Sequence, residues 1–290
     1  MVVVLTLVWG TNWPLFPYAV REVSVLTFRA VSVFGAGVAL LGFAAWRGYP
    51  LALPKRNWGP VAAASLVYLV VWNVASTYAA ILIPSGQAAV LGFTMPLWAA
   101  LAAWALLGET LDRRKLAALA MGGLGIGILI FRGAETYANA PVGFALGLLA
   151  GLGWAMGTLI LKRWPVAVPA TVLTGWQLLI AALPITLAAL WFGDRHWFMP
   201  SWPAIAVIAY IALVPMAIGN AAWFTIVGLL PANVAGLASV MVPVVAMISG
   251  ALLHGEPLGA VQLVAMLCSA AGLGLAILKP GRSSSTTALE

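Results

Sequence analysis

Residues 84–109 read PSGQAAVLGFTMPLWAALAAWALLGE, and residues 231–256 read PANVAGLASVMVPVVAMISGALLHGE. Both stretches open on a proline, Pro84 and Pro231, carry a second proline at the same place, Pro96 and Pro243, and close on Gly108-Glu109 and Gly255-Glu256. The offset between them is 147 residues, and other landmarks keep it without a gap. Gly10-Thr11 falls on Gly157-Thr158, Val25-Leu26-Thr27 on Val172-Leu173-Thr174, Asn73 on Asn220, and Gly125 and Gly127 on Gly272 and Gly274. In so apolar a chain, coincidences of Leu or Ala carry little weight. Those of Asn, Pro and Gly-Glu carry the argument: the chain is a tandem repeat.

What surrounds the repeat fixes its solvent. Hydrophobic residues make up 63% of the 290 residues and charged residues only 7%, against about 25% charged in soluble domains. Too few polar side chains are present to cover a water-facing surface, so lipid is the solvent. A spanning helix needs about 20 mostly apolar residues. Charges, Pro and Gly cut the chain into ten such segments, near 2–20, 25–46, 59–81, 85–107, 116–131, 142–161, 171–192, 203–228, 232–254 and 260–278. The predicted fold is therefore an all-α integral membrane protein, with one five-helix repeat at 1–131, a second at 142–278, and a disordered tail or expression remnant at 280–290. The first apolar run has no basic flank and contains Asn12, Pro14 and Pro17, which argues for a retained helix over a cleaved signal.

Loop charges orient the spans. With the N-terminus in the cytoplasm, the inner loops and tail hold ten Lys and Arg, including Arg47, Lys55, Arg56 and Arg113-Arg114-Lys115. The outer loops hold three: Arg21, Arg132 and Arg195. The positive-inside rule then places both termini in the cytoplasm. Five spans per repeat is an odd number, so the second repeat is inserted upside down, an architecture of secondary transporters with substrate near the midplane. Channels and scaffolds also arise by duplication. The formal charge of +7 is spread over short loops with no basic patch, which argues against nucleic acid as a partner. No Gly-Lys-Ser/Thr phosphate loop occurs, so neither ATP drive nor a cofactor is expected. With two His and one Cys, Cys268, a membrane-embedded enzyme or a metal site has little to work with.

Candidate site residues follow from where polarity, rings and helix breakers fall in the spans. Pro96 and Pro243 sit mid-span and would release the carbonyls of Gly92 and Ser239. Such carbonyls survive in hydrocarbon where they line a cavity; a plain packing kink is the other reading. Asn73 and Asn220 are repeat mates, readable as interhelical bonds or as cavity groups. Arg29 lies within a span, where it serves a substrate carboxylate, snorkels outward or pairs with Glu22. Glu109 and Glu256 are placed to cap the following helix, with proton coupling as the alternative. Trp9, Asn12, Tyr78, Met95, Trp98, Trp154, Trp223 and Met241 complete the expected lining with Asn73 and Asn220, favouring flat aromatic or cationic substrates through stacking and cation–π attraction. The four-residue glycine spacings Gly143, Gly147, Gly151 and Gly123, Gly127 predict close helix packing.

The stretch from Tyr78 to Ile130, with Pro84, Pro96, Gly108-Glu109, Gly125 and Gly127, resembles the EamA-type repeat of the drug/metabolite transporter superfamily. So does 231–277, and Trp9-Gly10-Thr11-Asn12 and Gly153-Trp154-Ala155 resemble the two repeat openings. The resemblance implies ten helices, a central cavity, alternating access and export of metabolites or toxic compounds from the cell across the inner membrane. Within the superfamily the chain looks most like YddG-type exporters of aromatic amino acids and flat organic cations such as paraquat, which makes an amino acid or organic cation the implied substrate. Nucleotide-sugar carriers belong to the same superfamily, but a polyanion needs several midplane basic groups, and this chain offers Arg29 with Lys162 and Arg163 at a helix end.

Overall fold

The computed structural model describes residues 2–108, 113–132, 134–194, 198–220, 222, 232–256 and 258–277. Among these the regular structure is helical throughout. Among the described residues five helical stretches, some built of more than one helix, are long and apolar enough to cross a membrane: Val25–Trp46, Lys55–Leu82, Ser85–Leu106, Pro141–Leu161 and Ala170–Phe192. Shorter apolar helices accompany them. Large apolar side chains cover much of the outside; Leu190, Trp191 and Phe192 are 75–79% exposed. A contiguous apolar exterior of this kind is solvated by lipid, and the chain is a multi-pass membrane protein.

The first span is not one helix. It runs as α1 (Val2–Asn12), a tight 3-10 turn at Trp13–Leu15 that contains Pro14, and α2 (Phe16–Ala19). Ser24 caps α3 (Val25–Trp46), its hydroxyl accepting from Thr27 N–H at 3.2 Å, as N-cap serines do. The third span joins α4 (Trp58–Ala64) to α5 (Val71–Leu82) through a π-helical turn at Ser65–Val70.

The fourth span corrects the expectation for Pro96. The helix stops at α6 (Ser85–Gly92) and restarts as α7 (Met95–Leu107), so Pro96 is the second residue of a new helix. A proline is tolerated there because the first N–H groups of a helix have no partner. Gly92 does not offer its carbonyl to a cavity; that oxygen lies against Gly151, 2.8 Å from where a Cβ would stand. Pro243, by contrast, is carried inside an unbroken helix. The two midspan breaks expected from the sequence are thus one break and one accommodated proline.

The remaining described helices are α8 (Arg113–Arg132), α9 (Ala134–Asn139), α10 (Pro141–Arg163), α11 (Ala170–Phe192), α12 (Trp202–Ile211), a π-helical turn at Ala212–Ile218, α13 (Ala232–His254) and α14 (Ala260–Ile277). Pro215 sits in that π turn. The two π turns begin at Ser65 and Ala212, again 147 residues apart. Gly108 and Gly255, the glycines of the two Gly-Glu pairs, end their helices with positive φ, +66° and +63°. Glycine adopts this left-handed cap without steric cost.

Repeat mates pack on each other: α3 against α11, and α8 against α14. α1 packs on α13, and α10 on α5, α6 and α7. The glycine stripe of α10 explains the last contact. A Cβ on Gly143, Gly147 or Gly151 would press on Leu82, Leu91 or the Gly92 carbonyl. On α8 the expected glycines are the wrong ones. Gly123 and Gly127 face open space, and Gly122 makes the close approach, against Leu97 and against Gly272 of α14.

Candidate functional site

The break after Asn12 turns Trp13 inward, to 3% exposure. Its ring meets Trp72 of α5 edge-on at 5.9 Å, Phe16 at 5.7 Å and Phe93 at 6.3 Å. Trp72 in turn stands 4.7 Å from Trp154 of α10, whose other side meets Tyr68 at 4.9 Å. The Trp13–Trp72, Trp72–Trp154 and Tyr68–Trp154 pairs are edge-to-face, a favoured geometry for aromatic pairs. Gly92 makes room for them, since a Cβ there would touch Trp13 at 3.0 Å and Trp72 at 3.4 Å.

The rings wall a cavity lined by Trp9, Asn12, Trp13, Phe16, Arg29, Leu69, Trp72, Asn73, Phe93, Met95, Trp154, Leu178, Pro215, Met216 and Asn220. The cavity's volume is about 70 Å³, smaller than the roughly 300–1,000 Å³ of open small-molecule sites. Both halves of the chain contribute to it.

Six of the ten lining residues expected from sequence meet here: Trp9, Asn12, Asn73, Met95, Trp154 and Asn220. Tyr78 and Trp98 are not among the lining. Trp98 instead braces the break in the fourth span, its indole N–H donating to Thr94 Oγ1 at 3.1 Å. Trp223 and Glu109 lie outside the described residues, as do the side chains of Ser239 and Met241. The expected lining omits Trp13 and Trp72, though both fall deep in the spans by sequence, and it omits Phe16 and Phe93. The consecutive Asn12-Trp13-Pro14 is the signal that could have found Trp13, because a proline there must disturb the helix beside it.

The polar groups are few. Asn73 Nδ2 donates to Leu69 O at 2.8 Å and Asn220 Nδ2 to Met216 O at 2.6 Å, each four residues back in its own helix. They are therefore not interhelical bonds. They satisfy carbonyls of the two π turns, each using one of its amide's two N–H groups. Trp9 Nε1 donates to Pro215 O at 3.0 Å, so that proline's turn is bonded to the first span.

Arg29 neither snorkels nor pairs with Glu22. It is 2% exposed, with Nε donating to Thr77 Oγ1 and Nη1 lying 3.9 Å from Met216 Sδ. Its guanidinium lies 4.3 Å from the Phe16 ring centre and 4.7 Å from that of Phe28.

Glu256 caps a helix, though not the following one. Its carboxylate accepts from Ser85 N–H at 2.8 Å and Gly86 N–H at 3.1 Å, at the start of α6 in the other half. A carboxylate at a helix N-terminus is stabilising. Nearby, His254 Nε2 donates to Pro14 O at 2.6 Å and its ring stacks on Tyr18 at 4.9 Å. Glu22 accepts from the backbone N–H and hydroxyl of Ser201, and Asp194 accepts from Ser24 N–H at 2.8 Å. The Ser201 hydroxyl, then its N–H, hold the Glu22 carboxyl below its ordinary value. Burial raises Asp194, but its hydrogen bonds from Ser24 and Thr27 outweigh that and leave it lowered. All these contacts tie the two halves together at one end of the bundle. At the opposite end Trp58 meets Trp176 at 5.1 Å.

Residues 1–131 and 141–278 each match the model of the EamA-like transporter family. The chain is 30% identical over 265 residues to a protein named as an uncharacterized inner membrane transporter, YedA, of Escherichia coli (strain K12), covering 90% of this chain and 84% of that one. It is 24% identical over 263 residues to a transporter named YvbV of Bacillus subtilis (strain 168), covering 91% and 86%. Over 176 residues it is 30% identical to a probable amino-acid metabolite efflux pump of Salmonella typhimurium (strain LT2), covering 58% of this chain and 59% of that one. A solved crystal structure shares the fold with a TM-score of 0.69, across 95% of this chain and 94% of that chain, at 19% identity.

Proposed function

The chain belongs to the EamA-like transporter family, and from that premise we propose that it exports small amphipathic metabolites, aromatic amino acids foremost, across the cell's inner membrane. The observation that carries this reading is the aromatic-walled cavity, built by Trp13, Trp72 and Phe93 from one half, Trp154 and Met216 from the other. Flat rings stack on such a wall, and neutral amide oxygens suit an amino group. The resemblance in part of the chain to a probable amino-acid metabolite efflux pump supports the same substrate class.

In this proposal ten spans form two inverted five-helix repeats with both termini in the cytoplasm, as the loop charges indicate. The end tied by Glu256, His254 and Glu22 is then the outer end, and solute reaches the cavity alternately from the two sides. A second reading, flat organic cations, draws on the same rings through cation–π attraction.

Counterflow tests the proposal: purified protein in vesicles preloaded with phenylalanine takes up labelled phenylalanine from outside. Accumulation above empty vesicles, faster for phenylalanine and tryptophan than for threonine, is the expected result. Absence of counterflow for every amino acid tried would reject the amino-acid assignment.

A further inference from the structure

Among the described residues Arg29 is a buried cation without an anion. Its Nη2 has no hydrogen-bond partner, while Nε is held by Thr77 and Nη1 faces a sulfur. Among the described residues the carboxylates are Glu22, Glu135, Asp194 and Glu256. Three of them are engaged at the tied end, by Ser201, Ser24 and the start of α6. Glu135 is exposed on α9. None lines the cavity that Arg29 does line. A guanidinium in a low-dielectric interior is costly without a counter-charge, and this one is held in place by Thr77 and the Phe16 and Phe28 rings instead of by an acid. Asn12, which also lines the cavity, has a buried Oδ1 without a hydrogen-bond partner.

We propose that Arg29 is the carboxylate seat of the transport site, and that the solutes carried bear one carboxylate on an apolar body while flat organic cations are excluded. The inference rests on the carrier reading above and narrows its substrate class. With Nε donating to Thr77 and Nη1 facing Met216, the two N–H groups of the buried Nη2 remain, enough for one carboxylate and too few for a polyphosphate. An amino group on the solute finds neutral amide oxygens. A cation lacking the carboxylate meets a like charge that no carboxylate among the described residues offsets.

The test is ligand-induced thermal stabilisation of the detergent-purified protein by four probes: phenylalanine, 3-phenylpropionate, phenethylamine and methyl viologen. Anything that binds the folded state raises its midpoint. The first two should raise it and the last two should not. Arg29→Gln should remove the rise, corresponding to a loss of affinity of about 10- to 100-fold, as for a charged hydrogen bond, and Arg29→Lys should restore part of it. Equal stabilisation by phenethylamine or methyl viologen, an undiminished rise in Arg29→Gln, or no rise with any probe would overturn the proposal. If Arg29→Gln does not fold, the four-probe pattern in the wild type and in Arg29→Lys decides. A carboxylate-selective pattern without phenylalanine counterflow would reject the carrier reading alone.

Discussion

Asn73 and Asn220 make the same bond 147 residues apart, each amide nitrogen donating to the carbonyl four residues before it, at 2.8 and 2.6 Å. Both follow a π-helical turn that begins at the matching position in its repeat. A π turn displaces backbone carbonyls from the α-helical ladder, and in a membrane interior an unmet carbonyl is costly. The amide meets it. Asn73→Ala and Asn220→Ala should each destabilise the protein by about 1 kcal/mol, lowering the midpoint of thermal unfolding in detergent by a few degrees. An unchanged midpoint in both would show that the bonds stabilise nothing.

The ring wall gives a second prediction. Trp72→Ala and Trp154→Ala remove rings that stack around the cavity, a loss of about 1 kcal/mol of ligand contact each, read as a several-fold rise in the phenylalanine concentration for half-maximal counterflow. Trp98→Ala loses a brace to Thr94 and should lower stability while leaving that concentration unchanged. The opposite pattern would place the site around α7.

A third concerns the cap across the halves. Glu256→Gln keeps the shape but removes the charge that accepts from Ser85 and Gly86. Charge at a helix N-terminus is worth about 0.3–1 kcal/mol when exposed and up to about 2 when partly buried. The tied end should loosen, so a cysteine at Tyr18 should react faster with a water-soluble thiol reagent in Glu256→Gln than in the parent. Equal rates would mean the cap does not hold that end.

Acid should loosen the same end. The Glu22 and Asp194 carboxyls are lowered from ordinary values of 4.5 and 3.8. Their contribution is fully present above those values and is lost as pH falls through the lowered ones. Labelling of the Tyr18 cysteine, taken relative to a fully exposed cysteine at the same pH to cancel the loss of thiolate, should therefore be flat from about pH 8 to 6 and rise only below about pH 4.5. A rise centred near neutrality would point to another group.

Much of the architecture was legible because it was written twice. One matched Asn, Pro or Gly in an apolar chain says little, but a shared offset makes each test the others, and Gly108 and Gly255 indeed end their helices with the same positive φ. Where the two copies fold differently, the repeat misled. Pro96 and Pro243 look equivalent, yet Phe93 and Thr94 interrupt the first helix and nothing interrupts the second. Composition cannot say which of two prolines a neighbouring helix will accommodate. The cavity was half legible for the same reason: Asn73 and Asn220 stood out as mates, whereas Trp13 and Trp72 are two among 14 tryptophans. Only packing tells an inward ring from a lipid-facing one.

The central claim is that the two halves separate at the Tyr18–His254 end to let solute through. Tyr18 and His254 stack with ring centres 4.9 Å apart. Cysteines at both positions, in a chain whose Cys268 is replaced by Ala, can be bridged by a short bis-methanethiosulfonate reagent, each thiolate forming a disulfide and releasing methanesulfinate. Phenylalanine counterflow should stop when the bridge forms and return when reductant removes it, with single-cysteine variants unaffected. Full counterflow in the bridged protein would contradict the account.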